Sequence, residues 1–479
     1  MTLKMMKRPI LMTAILVLVL AAACTRPVVN YPPNNTRVEL TSTNLPIVWI
    51  EVDHQEMSRD NRIGARMKVI HNGDGALNYA DTTAHPGQCV DYEGPISIRY
   101  RGNSSYNVAS KKPYSLRTLQ QPYKKSSKKK KVKILGMGKD DDWALLAPYS
   151  DKSMMRDLLA FEVSRPWMEY TPQGRYCELF LDGTYYGVFI LCEVVSQGKH
   201  RLDLQKPGIS GDDITGDYLM EVDYDDDVNH MSRFHPIGND GRTLQDKFVH
   251  FQYKYPDYDK LEQSQVNYIN RRIDEMERVL ASPQFADPHT GYSKYIDVMS
   301  FIDYQIAMEL GHNIDAYRKS AKFYKRRDRV DGRFKMVVWD NDLAYGNCKL
   351  AQSWRTDTWA YLNNDTLQAR NEQFLVPFWW SRLNSDEAYV AQLKARWAQY
   401  RTTNLREERL MAVIDSLATV LTCHGAMQRD SQAWPHWGEY VWPIYYIASD
   451  FDDEVSYLKR WIRDRIAWMD AQLGFREAH

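Results

Sequence analysis

The spacing of apolar and polar residues changes about half-way along the chain. Leu45 to Val52 (LPIVWIEV) is an apolar run of strand length, and Ile96 to Arg101 (ISIRYR) alternates as a half-buried strand does. Gly102 to Ser105 reads as a turn, Lys111 to Arg117 as a second strand and Trp143 to Ala147 as a third. Tyr176 to Leu181 and Tyr186 to Val194 flank Asp182-Gly183, which is the strongest hairpin signal in the chain. Tyr218 to Val222 (YLMEV) is a further strand. One helix interrupts, from about Met154 to Ser164, opened by Ser150-Asp151-Lys152-Ser153 and closed before Pro166.

From residue 261 onward the period is that of helices. Gln263 to Ala281, Lys294 to Leu310, Glu387 to Leu421 and Val455 to Leu473 repeat apolar residues at helical spacing, and Gly474 stops the last. Phe334 to Trp339 is the strand among them. The expected fold class is α+β in two lobes: a β-rich lobe over about 42–260 and a helix-rich lobe over about 261–479.

The first residues follow a different pattern. Lys4, Lys7 and Arg8 precede the apolar run Pro9 to Ala23, which ends on Ala-Ala-Ala before Cys24. That layout predicts a signal peptide over 1–24 rather than a membrane span. A cysteine after small residues is like a bacterial lipobox, although the leucine usual three positions earlier stands one step further, at Leu20. Cys24 is therefore the candidate lipidation site, or an incidental residue of an ordinary signal. Residues 25–41, rich in Pro and Asn, read as a tether, with 42–479 as the folded domain. The residues after Cys24 (TRPVVN) are not acidic, which favours a periplasm-facing anchor on the cell envelope.

Composition narrows the function classes. Apolar residues are 44% and charged residues 26% of the 479, enough for a sizeable core. A formal net charge of +0 argues against a nucleic-acid binder that relies on overall positive charge. The basic run Lys124 to Lys133 reads by itself as a solvated loop. No Cys-x-x-Cys pair is present, against structural zinc. Cys89, Cys177, Cys192, Cys348 and Cys423 leave an odd thiol. Most are expected to be buried and free, although Cys177 and Cys192 lie on opposite arms of the hairpin, where they could be cross-strand neighbours.

The candidate chemistry lies in VVWDNDLAYG, residues 337–346. It fails as a calcium loop, because counting from Asp340 puts Ala344 fifth, Tyr345 sixth and Ala351 twelfth. Asp315 precedes Asp340 by about two dozen residues, with strands at Lys322 to Tyr324 and Phe334 to Trp339 between them. An antiparallel hairpin would present both carboxylates at one end. Phosphoryl transfer uses such a pair, one acid for the nucleophile and one for the metal on the phosphates. Caps and turns account for the same spacing. No HExxH metal-hydrolase motif, Walker loop or GxGxxG loop accompanies them.

Six ordered blocks go further. RYRGNSSYNVASKKPYSLR, DWALLAPYSDKSMMRDLLAFEVSR, CELFLDGTYYGVFILCEVV, GDYLMEVD, NIDAYRKSAKFYKRRD and VVWDNDLAYG together resemble the CotH (spore-coat protein H) kinase family over about Leu45 to Asn347. The resemblance implies a divergent protein-kinase-like fold, an exported protein substrate, ATP, and Mg²⁺ or Mn²⁺. By position it implies Asp315 as catalytic, Asp340 as metal-binding and Asp342 as a second acid. Ser320 stands where the family commonly has Asn for a second metal, and with a hydroxyl oxygen to offer it is the third metal candidate beside Asp340 and Asp342. For the nucleotide the basic candidates are Arg101, Lys112 (or Lys111) and Arg156, with Glu193 as partner to a lysine. The alternative is a non-catalytic relative that binds glycan or protein.

Overall fold

The computed structural model describes residues 38–476. It is a mixed α+β structure, strand-rich in its N-terminal part and helical in its C-terminal part. Cys24 and the expected signal peptide lie outside the described residues. The stretch read as a tether enters them at Val38, where Val38 and Leu40 are already buried with the first core.

Seven strands form a closed barrel in the order β2-β3-β5-β6-β7-β9-β8. These are β2 (Ile47–Glu51), β3 (Ile63–Ile70), β5 (Val90–Tyr100), β6 (Tyr114–Thr118), β7 (Asp142–Leu146), β8 (Gly174–Leu181) and β9 (Thr184–Glu193). A two-stranded ribbon pairs β1 (Ser42–Thr43) with β4 (Asn78–Tyr79). The barrel closes through β2 against β8, its one parallel pairing. The expected Asp-Gly hairpin is β8–β9, turning at Leu181 opposite Thr184.

Strand β9 separates two cores, and its alternation shows how. Phe189 and Leu191 point into the barrel, while Val188, Ile190 and Cys192 point into a larger core shared with the helices. Covered on both faces, it reads in sequence as an unbroken apolar run. The same alternation corrects the thiol pairing: Cys177 faces Phe189, Cys192 faces Gly174, and the two thiols enter different cores. All five described cysteines are free, with Cys177, Cys192 and Cys348 buried.

A second sheet runs in the order β11-β12-β10-β13-β14. It contains β10 (Tyr218–Asp223), β11 (His230–Met231), β12 (His250–Tyr255), β13 (Ala321–Lys325) and β14 (Phe334–Val337), so it takes strands from both sides of residue 260. The helix Arg156–Ser164 packs against the helix Val298–Gly311 in the larger core.

Several helix boundaries differ from expectation for local reasons. The helix expected from Lys294 starts at Val298, because the Asp297 carboxylate accepts the Ser300 N–H at 3.0 Å. The last helix starts early, at Phe451, capped by Asp450. The span Glu387 to Leu421 is two helices, Glu387–Arg401 and Glu407–Thr422. Thr402 and Thr403 hydroxyls turn back to the Gln399 carbonyl, and the Arg401 guanidinium takes the Leu405 carbonyl, which closes the first helix.

The C-terminal helices also clamp the barrel. The Asp430 carboxylate, 1% exposed, accepts the Val188 N–H at 2.7 Å and the Lys111 ammonium at 2.6 Å. That approach requires Gly187, at φ +96°, since an added Cβ would lie 2.2 Å from Asp430 Oδ1.

Candidate functional site

Asp315 and Asp340 are brought together by the β13–β14 hairpin. Lys322 pairs with Val337, so the chain entering β13 and the chain leaving β14 emerge at the same end. Asn313, 1% exposed, ties the two loops: its amide donates to the Asp340 carbonyl at 2.8 Å and to Asn341 Oδ1 at 3.1 Å. Its own Oδ1 accepts the Asp315 N–H at 3.0 Å. The loop can turn there because His312 ends the preceding helix in the left-handed region, at φ +43°.

Asp340 itself sits at φ +62° and Ser320 at φ +51°. Asp tolerates this region better than most residues, and strain of this kind tends to collect at functional sites. Both residues line a cleft of about 680 Å³ together with Asp157, Asp315, Asp342 and Arg101. The sheet supplies Glu221, Asp223, Lys254 and Lys322, and Lys319 completes that wall. Acidic side chains outnumber basic ones in the lining.

Crowding of the acids shifts their proton affinities. Asp340 is exposed where it lines the cleft, and desolvation by the surrounding walls and then Asp315 raise its pKa. The Ser320 hydroxyl, Arg101 and Lys322 hold it back. Burial and then Asp340 push Asp157 up to about 7, against a hydrogen bond from the Asn341 N–H at 2.7 Å. Asp342 is pushed well above the carboxylate range by burial, then by Asp340 and Asp157. On the sheet wall, Glu221 is 3% exposed and bridges Lys322 and Lys254, the latter at 2.6 Å, which hold its pKa down at about 2 against desolvation. Asp315 lies 2.7 Å from the buried Arg318 guanidinium and 4.0 Å from Lys319.

Of the residues anticipated from sequence, the cleft gathers Asp315, Asp340, Asp342, Ser320 and Arg101, the last stacked over Trp339 at 5.4 Å. Lys112, Arg156 and Glu193 are not in its lining. Lys112 bonds the Tyr106 carbonyl and covers the Tyr106 ring. Arg156, 0% exposed, pairs with Asp151 at 2.5 Å and Glu454 at 2.8 Å. Glu193 takes Arg201 at 2.7 Å and the N–H groups of Gly138 and Gln173. Asp157, Glu221, Asp223, Lys254 and Lys322 were not anticipated. The block GDYLMEVD carries two of them, and its in-register pairing of Glu221 with Lys322 was the missing information.

A family model for CotH kinase proteins matches residues 98–469, which is most of the chain. The chain belongs to the CotH kinase family. The match starts in β5 of the barrel and runs into the last helix, so CotH membership covers the C-terminal helices as well as the six sequence blocks. Membership makes this a kinase-like protein. Among curated proteins none matches the chain.

Proposed function

We propose that the chain is a metal-dependent protein kinase with a divergent kinase-like fold, transferring the γ-phosphate of ATP to Ser or Thr of exported proteins. The observation that carries this reading is Asn313. One buried amide fixes the loops of Asp315 and Asp340 relative to each other in the lining of a single cleft. Asp315 would orient the acceptor hydroxyl and take its proton, with Arg318 and Lys319 holding its position. Arg101 and Lys322 both line the cleft and would meet phosphate oxygens there.

Among the described residues no group of three or more His, Cys, Asp or Glu side chains is already drawn together as a metal cage. The donor set suits Mg²⁺ or Mn²⁺ nonetheless. Magnesium commonly uses one or two carboxylates and completes its sphere with water and phosphate, and the mutual repulsion among Asp157, Asp340 and Asp342 is a charge surplus that a divalent ion relieves. Asp340 and Asp342 would hold it, with the Ser320 hydroxyl bonded to Asp340 where the family commonly has Asn. Such an ion neutralises phosphate charge in the transition state.

The test is transfer of labelled phosphate from ATP, with Mg²⁺ or Mn²⁺, to the protein itself and to mixed exported proteins, in wild type, Asp315→Ala and Asp340→Ala. Absence of transfer together with absence of any nucleotide-induced thermal shift sinks the kinase reading. It would favour the second one, a binding module for glycan or protein, which the structural engagement of Lys112, Arg156 and Glu193 supports. The envelope location belongs to the same proposal: export, cleavage and acylation at Cys24, and a periplasm-facing anchor. Incorporation of labelled palmitate that persists in Cys24→Ser refutes the anchor.

A further inference from the structure

Between Lys124 and Lys139 the chain carries eight lysines and no acidic residue, although acids and bases balance over the whole sequence. The segment is not a loose loop. Ile134, Leu135 and Met137 are buried in the barrel core, the Leu135 N–H bonds Asp91, and the Lys130 N–H bonds the Thr118 carbonyl at 2.9 Å. Lys129 pairs with Asp141 and Asp142, and Lys131 lies 3.7 Å from Asp140. Lys124, Lys125, Lys128, Lys130, Lys133 and Lys139 are exposed, and none has a carboxylate within ion-pair distance among the described residues.

The register of β6 explains the groove beside these lysines. Strand β5 pairs with β3 along its length, from Val90 to Ile98, but with β6 only from Ile96 onward. After the Leu119 N–H bonds the Pro95 carbonyl, the chain leaves the sheet at Gln120 to Pro122. It returns on the far side of the β6 line, where Lys128 and Lys130 pair with Gln120 and Thr118. A place one strand wide is thus left open between the free edge of Val90–Glu93 and the lysine segment. It appears as an open groove of about 610 Å³ lined by Val90–Glu93, Lys130–Lys133 and Lys139. Its two acids are engaged, Glu93 by Arg66 at 2.6 Å and Asp91 by the Leu135 N–H at 2.7 Å.

The geometry points to this groove as a docking site for an extended acidic segment of a partner protein, added as a strand along β5 and flanked by lysines. An unpaired strand edge supplies main-chain hydrogen bonds, and the lysines supply charge complementarity. The site is separate from the cleft and does not rest on phosphoryl transfer.

The test uses the described protein as a full chain and a fluorescein-labelled deca-glutamate peptide, read by anisotropy at low and moderate salt. Wild type should bind with an affinity that falls as salt rises, and Lys130→Glu/Lys133→Glu/Lys139→Glu should bind about tenfold or more weakly. A peptide of equal charge with alternate N-methylated residues should lose a similar factor, because it cannot pair with a strand edge. The triple Gln variant, with an unchanged melting temperature, guards against misfolding. Equal binding of the N-methylated peptide overturns strand addition. Absence of peptide binding, or lysine-dependent sedimentation with phosphatidylglycerol vesicles but no peptide binding, overturns the acidic-segment reading.

Discussion

Replacing Asn313 with alanine is expected to loosen both acid-bearing loops at once. The side chain donates to the Asp340 carbonyl and Asn341 Oδ1 and accepts from the Asp315 N–H, at 2.8, 3.1 and 3.0 Å. A buried hydrogen bond is worth about 1 kcal/mol net, more where its loss leaves a partner unsatisfied, so three together come to about 2–4 kcal/mol. The effect on transfer follows from positioning: a shift of about 1 Å in either aspartate costs on the order of 100-fold in rate. Asn313→Asp separates the two halves of the argument. It keeps an acceptor for the Asp315 N–H but turns a carboxylate toward two oxygens, so its Asp340 side should suffer more than in the alanine variant. Urea unfolding gives the stability, and phosphate transfer from labelled ATP gives the activity. An alanine variant within about 0.5 kcal/mol of wild type and with unaltered transfer refutes the claim that this amide organises the site.

Four further outcomes follow from the same structure. Asp342→Asn should raise the melting temperature in the absence of divalent cations by relieving the crowded acids, while reducing the shift that added Mg²⁺ produces; a lower melting temperature contradicts the charge surplus. Arg156→Met leaves Asp151 and Glu454 buried without their cation and should cost about 3–5 kcal/mol of stability, with affinity for nucleotide unchanged in the folded fraction. Ser320 occupies a left-handed position that suits Asn, so Ser320→Asn should unfold at no lower urea concentration than wild type, whereas Ser320→Ala should lose about 1 kcal/mol. Burial raises Glu277, held between Ser232 and Trp379, to about 8. Its stabilising effect is complete below the unfolded value of 4.5 and is lost as pH rises through the folded one, so wild type should lose on the order of 2–3 kcal/mol between about pH 6 and 9. Glu277→Gln should flatten that loss in urea titrations at the two pH values.

The local signals in the chain determined most of its elements and the acids Asp315, Asp340 and Asp342, but not Asp157, Glu221 or Asp223. The Asp-Gly turn and the helical spacing of Gln263–Ala281 are encoded within a dozen or so residues and appear in the structure close to their expected bounds, whereas the alternation read from Ile96 marks only the second half of β5, which begins at Val90. Asp315 and Asp340 were legible because a single short hairpin connects them, and the sign of their grouping needed no distant contact. The basic residues were a different matter. Arg101, Lys112 and Arg156 look equivalent in sequence, yet only Arg101 lines the cleft, since Glu454 claims Arg156 from 298 positions away. Glu221 and Lys322 lie on strands separated by 101 positions, and only their pairing in the sheet makes them one charged wall. Cys177 and Cys192 show the same limit at short range, where strand register put neighbouring arms of one hairpin into different cores. Sequence settles what depends on local backbone preference and period. Which charge meets which carboxylate depends on packing between segments far apart in the chain, and only the folded structure decided that.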